Sequence, residues 1–416
     1  MIKKKTFLEW MVAIVVFFLV CSQVIESIVR VAFPTFSIIL DLIKWGSIAT
    51  VFVFHVKEKA GFKCNQMFVL FFSLYSLYVL YYMTIGGVYP LKMLLAVPSS
   101  VSGYLFRLLF LIFLILSCKT IAEFLNCKKL LALMVAGCTI PSLFYIKFIG
   151  VATLQVYSVE SFQSQYMDVL VLAYSNMPVF LVAFFFSHQI TTSARINRIL
   201  QILVCVSVVY IDIVSTKRGP ILWTIVVLFV MHWFRNKLNL KYLVFLMFVI
   251  LIGYLSVDFI LDKISESMPL TASRIRDALY HGDTASRLDF SQKNDSGYFL
   301  AINQFFSSPV IGSYYRLITN GIFKGCYPHN VFLEIMITMG LLGFLPFMYL
   351  IKEIFKKSFR YLRNHMEDKF ELLFVLFLAI FFSLFTTGTI LLNYGFWTFL
   401  CLLSTPYLFY KTMNEK

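Results

Sequence analysis

Apolar runs of roughly 18 residues or more recur along the whole of this chain, and no other feature narrows its possible folds so far. A helix needs about 20 apolar residues to cross the hydrocarbon of a bilayer, where every backbone polar group must find a partner within the protein. A soluble core has shorter apolar segments. An outer-membrane barrel has alternating segments of about ten residues. The pattern predicts an all-α, polytopic helical membrane protein. Twelve spans are expected, at roughly 8–25, 34–56, 66–86, 101–118, 129–149, 167–187, 199–215, 220–234, 242–258, 329–351, 370–387 and 391–410. Composition points the same way: 14% of the residues are charged, against about 25% in an ordinary soluble domain, and 60% are hydrophobic.

Lysine and arginine placement sets the expected orientation. With the N-terminus in the cytoplasm, most of the 36 basic residues fall into short inner loops. These groups are Lys3 to Lys5, Lys57 to Lys63, Lys119 to Lys129, Arg195 with Arg198, Arg235 to Lys241, Lys352 to Lys369, and Lys411 with Lys416. Both termini are then cytoplasmic. The net charge of +15 is read as a topology signal and an attraction to anionic lipid. Nucleic acid is not an expected partner, because the basic residues are scattered over such short loops. The opening "MIKKKTFLEWMVAIVVFFLVCSQ" is similar to a secretory signal, but its apolar stretch is long and lacks an A-x-A-like cleavage site. It is expected to stay as the first span. The eight cysteines include no C-x-x-C, and Cys326 alone falls clearly in an outer loop. Neither a disulfide framework nor a cysteine metal site is expected.

Residues 259–328 break the pattern of short loops, which divides the chain into transmembrane helices over 1–258, a long external loop domain over 259–328, and further transmembrane helices over 329–416. Long loops in compact proteins are usually functional or disordered. This one mixes both charge signs and holds a helix-compatible apolar stretch, Ser296 to Ser308, expected near the membrane surface.

Three short segments carry residues suited to chemistry. The first is "CYPHNVFLEIMITMGLLGFLPF", from Cys326 to Phe347. Asn330, Glu334 and Thr338 stand four apart and share a helical face, and His329 sits at the mouth of the helix. An ionisable group there is costly enough to suspect function. The plainer reading is a helix cap with interhelical hydrogen bonds. Gly340 and Gly343 are expected to let helices pack closely. The second segment is "STKRGPILW", Ser215 to Trp223, where Lys217 and Arg218 lie on the outer side against the positive-inside trend. A guanidinium fork suits phosphate oxygens, and a snorkelling interfacial pair is the alternative. The third is "TASRLDF", Thr284 to Phe290, where Arg287 either binds an anion or pairs with Asp283 or Asp289. Two outer sites with Arg and one with His suggest a pocket for a phosphorylated, membrane-anchored substrate. The intramembrane charges Asp41, Lys44, Arg107, Asp168 and Asp212 are expected to pair across spans, line a groove or relay protons. No H-E-x-x-H, P-loop, G-x-S-x-G or Asp-x-Asp string is present, and no metal or other cofactor is expected.

Together, "STKRGP" (Ser215 to Pro220), "SRLDF…FFSSPVIG" (Ser286 to Gly312) and "YPHNVFLEIMITMGLLG" (Tyr327 to Gly343) resemble the O-antigen ligase and O-antigen polymerase superfamily. Two positions depart from it: Glu334 stands where Gln is common, and Thr338 where Glu is common. The Pro-x-x-Gly-x-Gly turn is also interrupted, since Ser313 and Tyr314 follow Gly312. The resemblance implies a glycosyltransferase class C-like helical architecture in the bacterial cytoplasmic membrane. It implies transfer of polyprenyl-diphosphate-linked glycans on the outer face without a metal. His329 is then expected as the catalytic base or a phosphate ligand, and Arg218, Arg287 and Lys217 as diphosphate-binding residues. Asn330 and Glu334 orient the acceptor or are structural. The expected function is polymerisation of repeat units into O-antigen, capsule or another exopolysaccharide. The alternatives are an O-antigen ligase acting on lipid A–core and a flippase or transporter of lipid-linked oligosaccharides. The partners implied are the lipid-linked donor and acceptor, the bilayer, and flippase and chain-length regulator proteins.

Overall fold

The computed structural model describes residues 2–58, 64–84, 101–150, 169–215, 218–235, 297–313, 330–364, 368–386, 390 and 393–405, with a few positions between 262 and 276. Among these residues all regular structure is helical. In chain order the helices are α1 (Ile2–Val20), α2 (Gln23–Ala32), α3 (Ser37–Lys57), α4 (Gln66–Thr84), α5 (Val101–Leu116), α6 (Cys118–Phe124), α7 (Cys127–Met134), α8 (Ile140–Ile149), α9 (Val169–Phe186), α10 (Ala194–Val214), α11 (Arg218–Arg235), α12 (Gly297–Ser307), α13 (Val331–Arg363), α14 (Asp368–Ser383) and α15 (Tyr394–Ser404).

Among the described residues five helices are long and apolar enough to cross a membrane, or six if the bent pair α1–α2 is one span. Shorter apolar helices accompany them at Gln66–Tyr78, Arg107–Leu116, Gly219–Arg235 and Tyr394–Ser404. The protein is a helical membrane protein. The expected span at 242–258 lies outside the described residues.

The first expected span is not one straight helix. Between Val20 and Gln23 the chain bends by 78°. The residues after the bend explain it. Ser22 donates its hydroxyl to the Phe18 carbonyl at 3.1 Å and to Glu26 at 2.7 Å. Glu26 in turn takes Lys44 of α3 at 3.1 Å and Arg30 at 3.7 Å. The turn brings Glu26 to a cation on another helix, while Val24 on the same short helix stays fully buried.

The chain forms two units. The first comprises Met1–Ser47, Phe124–Asp283 and Ser358–Ala379. Here α1 packs on α7 and α9 on α10. Lys129 bonds Glu9 at 2.7 Å and lies over the Trp10 ring at 5.4 Å. A π-helical turn, Val135–Thr139, joins α7 to α8 and presents Thr139 to Asn176 of α9. Asn176 is fully buried and fully used: it accepts from Thr139 at 2.9 Å and donates to Ser142 at 2.9 Å and to the Leu172 carbonyl at 2.8 Å. Arg235 pairs with Glu371 and stacks over Phe185 at 4.8 Å. Of the intramembrane charges expected to pair, Lys44 does so, whereas the Asp212 Oδ1 is buried with no hydrogen-bond partner among the described residues. Asp168 lies outside the described residues.

The second unit comprises Ile48–Glu123, Thr284–Lys357 and Ile380–Lys416. Its core is aromatic. Trp397 of α15 is fully buried, with the Phe71, Phe72 and Tyr75 rings of α4 at 5.1, 5.3 and 4.5 Å. Phe332 at the start of α13 meets Phe381 and Phe385 at 6.0 and 5.4 Å. Large flat side chains of this kind fill a membrane interior with few rotatable bonds, so they hold helix ends in register.

Candidate functional site

The site grows from the first two turns of α13, in the second unit. Asn330 is its cap: the side-chain oxygen accepts the backbone N–H groups of Phe332 at 3.0 Å and Leu333 at 3.2 Å. This satisfies two of the donors that a helix start leaves open. Thr338, one turn below Glu334, returns its hydroxyl to the Glu334 carbonyl at 2.6 Å and to the Ile335 carbonyl at 3.2 Å. Asn330 is thus the helix cap of the plainer reading, whereas Thr338 bonds within its own helix and not to another.

Glu334 reaches further. It is 1% exposed, and both carboxylate oxygens accept the backbone N–H of Ile390 at 3.2 Å, just before α15. The carbonyl of the same residue accepts the indole N–H of Trp397 at 3.0 Å. The Ile390 backbone is therefore held on one side by a carboxylate of α13 and on the other by the buried ring of α15. Glu334→Gln keeps an acceptor oxygen, whereas Glu334→Ala strips the amide of it. We expect the glutamine variant to melt close to the wild type in detergent and the alanine variant about 2 kcal/mol less stable, the penalty for an orphaned buried donor. Equal melting of the two variants would remove the clasp.

At its tenth residue α13 is interrupted. Gly340 has φ 61° and ψ −159°, outside the helical region. The sequence reading gave Gly340 a role in close helix packing alone; its backbone instead breaks the helix and admits another segment. That segment is the turn Ser308–Ser313 after α12. Its own glycine, Gly312, has φ 72°. A Cβ on Gly340 would lie 2.4 Å from the Val310 carbonyl oxygen, and one on Gly312 would lie 2.5 Å from the Gly340 nitrogen. Only glycine tolerates both the left-handed backbone and this approach.

Where the turn enters, it takes over backbone hydrogen bonds of the broken helix. Leu341 donates its N–H to the Pro309 carbonyl at 2.8 Å, and Leu342 to the Val310 carbonyl at 3.0 Å. The Ile337 carbonyl, which Leu341 would serve in an unbroken helix, accepts instead from Ser313 N–H at 2.7 Å. Gln304 donates to Ser313 Oγ at 2.6 Å, and Tyr78 of α4 donates to the Ile311 carbonyl at 2.5 Å. Above the break Ala301 packs against Ile337, flanked by Phe305 and Leu333. Irregular backbone at membrane depth persists only where protein satisfies it, and here the turn does so.

The half-helix Val331–Met339 is thus held at both ends, by the Glu334 clasp and by the turn. It brings Asn330, Glu334 and Thr338 together on one face. His329, Lys217 and Arg287 lie outside the described residues. Arg218 opens α11, and its side chain lies outside them too. Sequence reasoning missed the Gly312–Gly340 interlock and the Ile390–Trp397 contact. The signal for the first was a Pro-x-x-Gly string facing a Gly-x-x-Gly helix. The second had none, since Ile390 contributes only its backbone. A scan against protein-family models and searches of curated proteins and of solved structures find no match.

Proposed function

We propose that this protein is a membrane glycosyltransferase that joins polyprenyl-diphosphate-linked oligosaccharide repeat units into a bacterial surface polysaccharide. In this reading it has twelve spans and a glycosyltransferase class C-like architecture. It lies in the cytoplasmic membrane with both termini inside and acts on the outer face. One observation carries the reading beyond the sequence strings. The "FFSSPVIG" and "HNVFLEIMITMGLLG" segments, which carry much of the resemblance, meet through Gly312 and Gly340. They form one element, which opens at the Asn330 cap.

In the reaction an acceptor sugar hydroxyl attacks the anomeric carbon of the donor glycan. The carbon–oxygen bond to the lipid diphosphate breaks, and the hydroxyl proton passes to His329. Arg218 and Arg287, with Lys217, stabilise the charge growing on the departing diphosphate, a type of help worth about 3 kcal/mol per donor in other enzymes. The diphosphate is a competent leaving group, so no metal ion has to activate it. Asn330 and Glu334 hold the half-helix that presents the base.

The test is the polysaccharide of a deletion strain. A core carrying a single repeat unit supports the polymerase. A bare core with lipid-linked polymer would make the protein a ligase. Absence of repeat units from the outer face would make it a flippase.

A further inference from the structure

The first unit holds a cavity of about 370 Å³, within the roughly 300–1,000 Å³ of small-molecule sites. None of its lining residues belongs to the site described above. Three segments far apart in the chain meet there: the start of α7, the turn Ser187–Gln189 after α9, and the first turn of α14. The start of α7 is capped by Asn126, which accepts the Lys129 N–H at 3.2 Å. The turn packs on α7, and Gln189 Nε2 donates to Asp368 Oδ2 at 2.9 Å, which ties it to α14. Two apolar stretches long enough to cross a membrane end at this cavity, Cys127–Ile149 at Cys127 and Val171–Gln189 at Gln189. The cavity therefore lies where hydrocarbon gives way to water. Its lining has the same two-sided character. Leu125 and Leu372 are buried, Lys128 is exposed and Lys369 half-buried. The charge balance is positive: two lysines stand against one carboxylate, Asp368, which already accepts Gln189. Glu9, which Asn126 reaches at 3.4 Å, is paired with Lys129 at 2.7 Å. Both α7 and α14 begin at the cavity, and a helix start adds partial positive charge.

We propose that this cavity holds the headgroup of an anionic phospholipid, its phosphate between the ammonium groups of Lys128 and Lys369 and the start of its hydrocarbon on Leu125 and Leu372. Each ammonium brings three N–H donors to the phosphate oxygens. The remaining lone pairs of Asp368 accept a hydroxyl of a glycerol headgroup. A free phosphate ion shares the chemistry of the lysines, but it brings nothing for the leucines. The site does not depend on the glycan reaction. In the orientation proposed above, the lipid belongs to the cytoplasmic leaflet, whose anionic lipids attract basic side chains.

The experiment titrates the full-length protein in detergent with phosphatidylglycerol and reads bound lipid by native mass spectrometry. Lys128→Gln combined with Lys369→Gln is expected to weaken binding about tenfold at unchanged melting temperature. Lys128→Arg combined with Lys369→Arg keeps the charge and is expected to bind as the wild type does. Lys352→Gln combined with Lys356→Gln removes two exposed lysines of α13 that do not line the cavity, and is expected to change nothing. Equal weakening in that control overturns the site, because the attraction then belongs to the whole basic surface. Unchanged binding in the Lys128 and Lys369 glutamine variant overturns it as well. A further arm needs no variant: phosphatidylethanolamine, which carries no net charge, is expected to bind the wild type more weakly, and equal affinity for the two lipids sinks the proposal. Excess inorganic phosphate is expected to leave the lipid bound. Complete displacement would assign the cavity to a free anion instead of a lipid.

Discussion

Gly340→Ala is expected to lower the stability of the purified protein by about 4 kcal/mol and, under the polymerase reading, to abolish polymer in a complemented deletion strain. Two penalties add. An L-residue held at φ 61° and ψ −159° costs roughly 1–3 kcal/mol. The new Cβ would also lie 2.4 Å from the Val310 carbonyl oxygen and 2.5 Å from Gly312 N. Both are backbone atoms, so no side chain can swing aside. The turn must withdraw, and three hydrogen bonds go with it: Leu341 to Pro309, Leu342 to Val310 and Ser313 to Ile337. At about 1 kcal/mol each these supply the remainder. Gly312→Ala meets the same backbone from the other side and is expected to match it. Gly46 in α3 is the control, since a Cβ there meets nothing within 4 Å. Gly46→Ala is expected to be neutral or slightly stabilising, as alanine favours a helix over glycine by roughly 1 kcal/mol. Thermal melting in detergent reads all three. A Gly340→Ala protein that melts with the wild type would mean that the turn does not occupy the break.

The second large effect is at His329. Under the polymerase reading, His329→Ala removes about 10²–10⁴ of the rate, the usual contribution of a positioned base. An imidazole base works only when neutral. Turnover of lipid-linked repeat units should therefore fall on the acid side of the wild-type profile, and the alanine variant should lose that limb along with the rate. Donor binding should stay near normal. His329→Lys and His329→Arg should not restore turnover, because neither is a neutral base at the working pH. Rescue by either cation, with donor binding lost in His329→Ala, would recast His329 as a phosphate ligand. The clasp at Glu334 and the interlock at Gly340 act on the same half-helix from opposite ends. Their variants should lower turnover without removing the acid limb, which separates a positioning defect from a chemical one.

Among the described residues, the sequence by itself determined the all-helical, membrane-spanning class. The bilayer leaves a backbone no alternative to internal hydrogen bonding, so a run of about 20 apolar residues is read as helix without tertiary information. It also determined the cap at Asn330 and the shared face of Asn330, Glu334 and Thr338, because capping and four-residue spacing are local. Tertiary structure decided what that face does. The partner of Glu334 is a backbone amide 56 residues away, which no side-chain pattern announces. The fate of Gly340 was likewise undecided locally, since glycine within an apolar helix serves equally for close packing or for a break. The choice fell to the break because a distant turn, Ser308–Ser313, brings carbonyls to Leu341 and Leu342 and an N–H to Ile337. A membrane interior offers no water to replace them, so the helix can open only where another part of the chain supplies each missing partner.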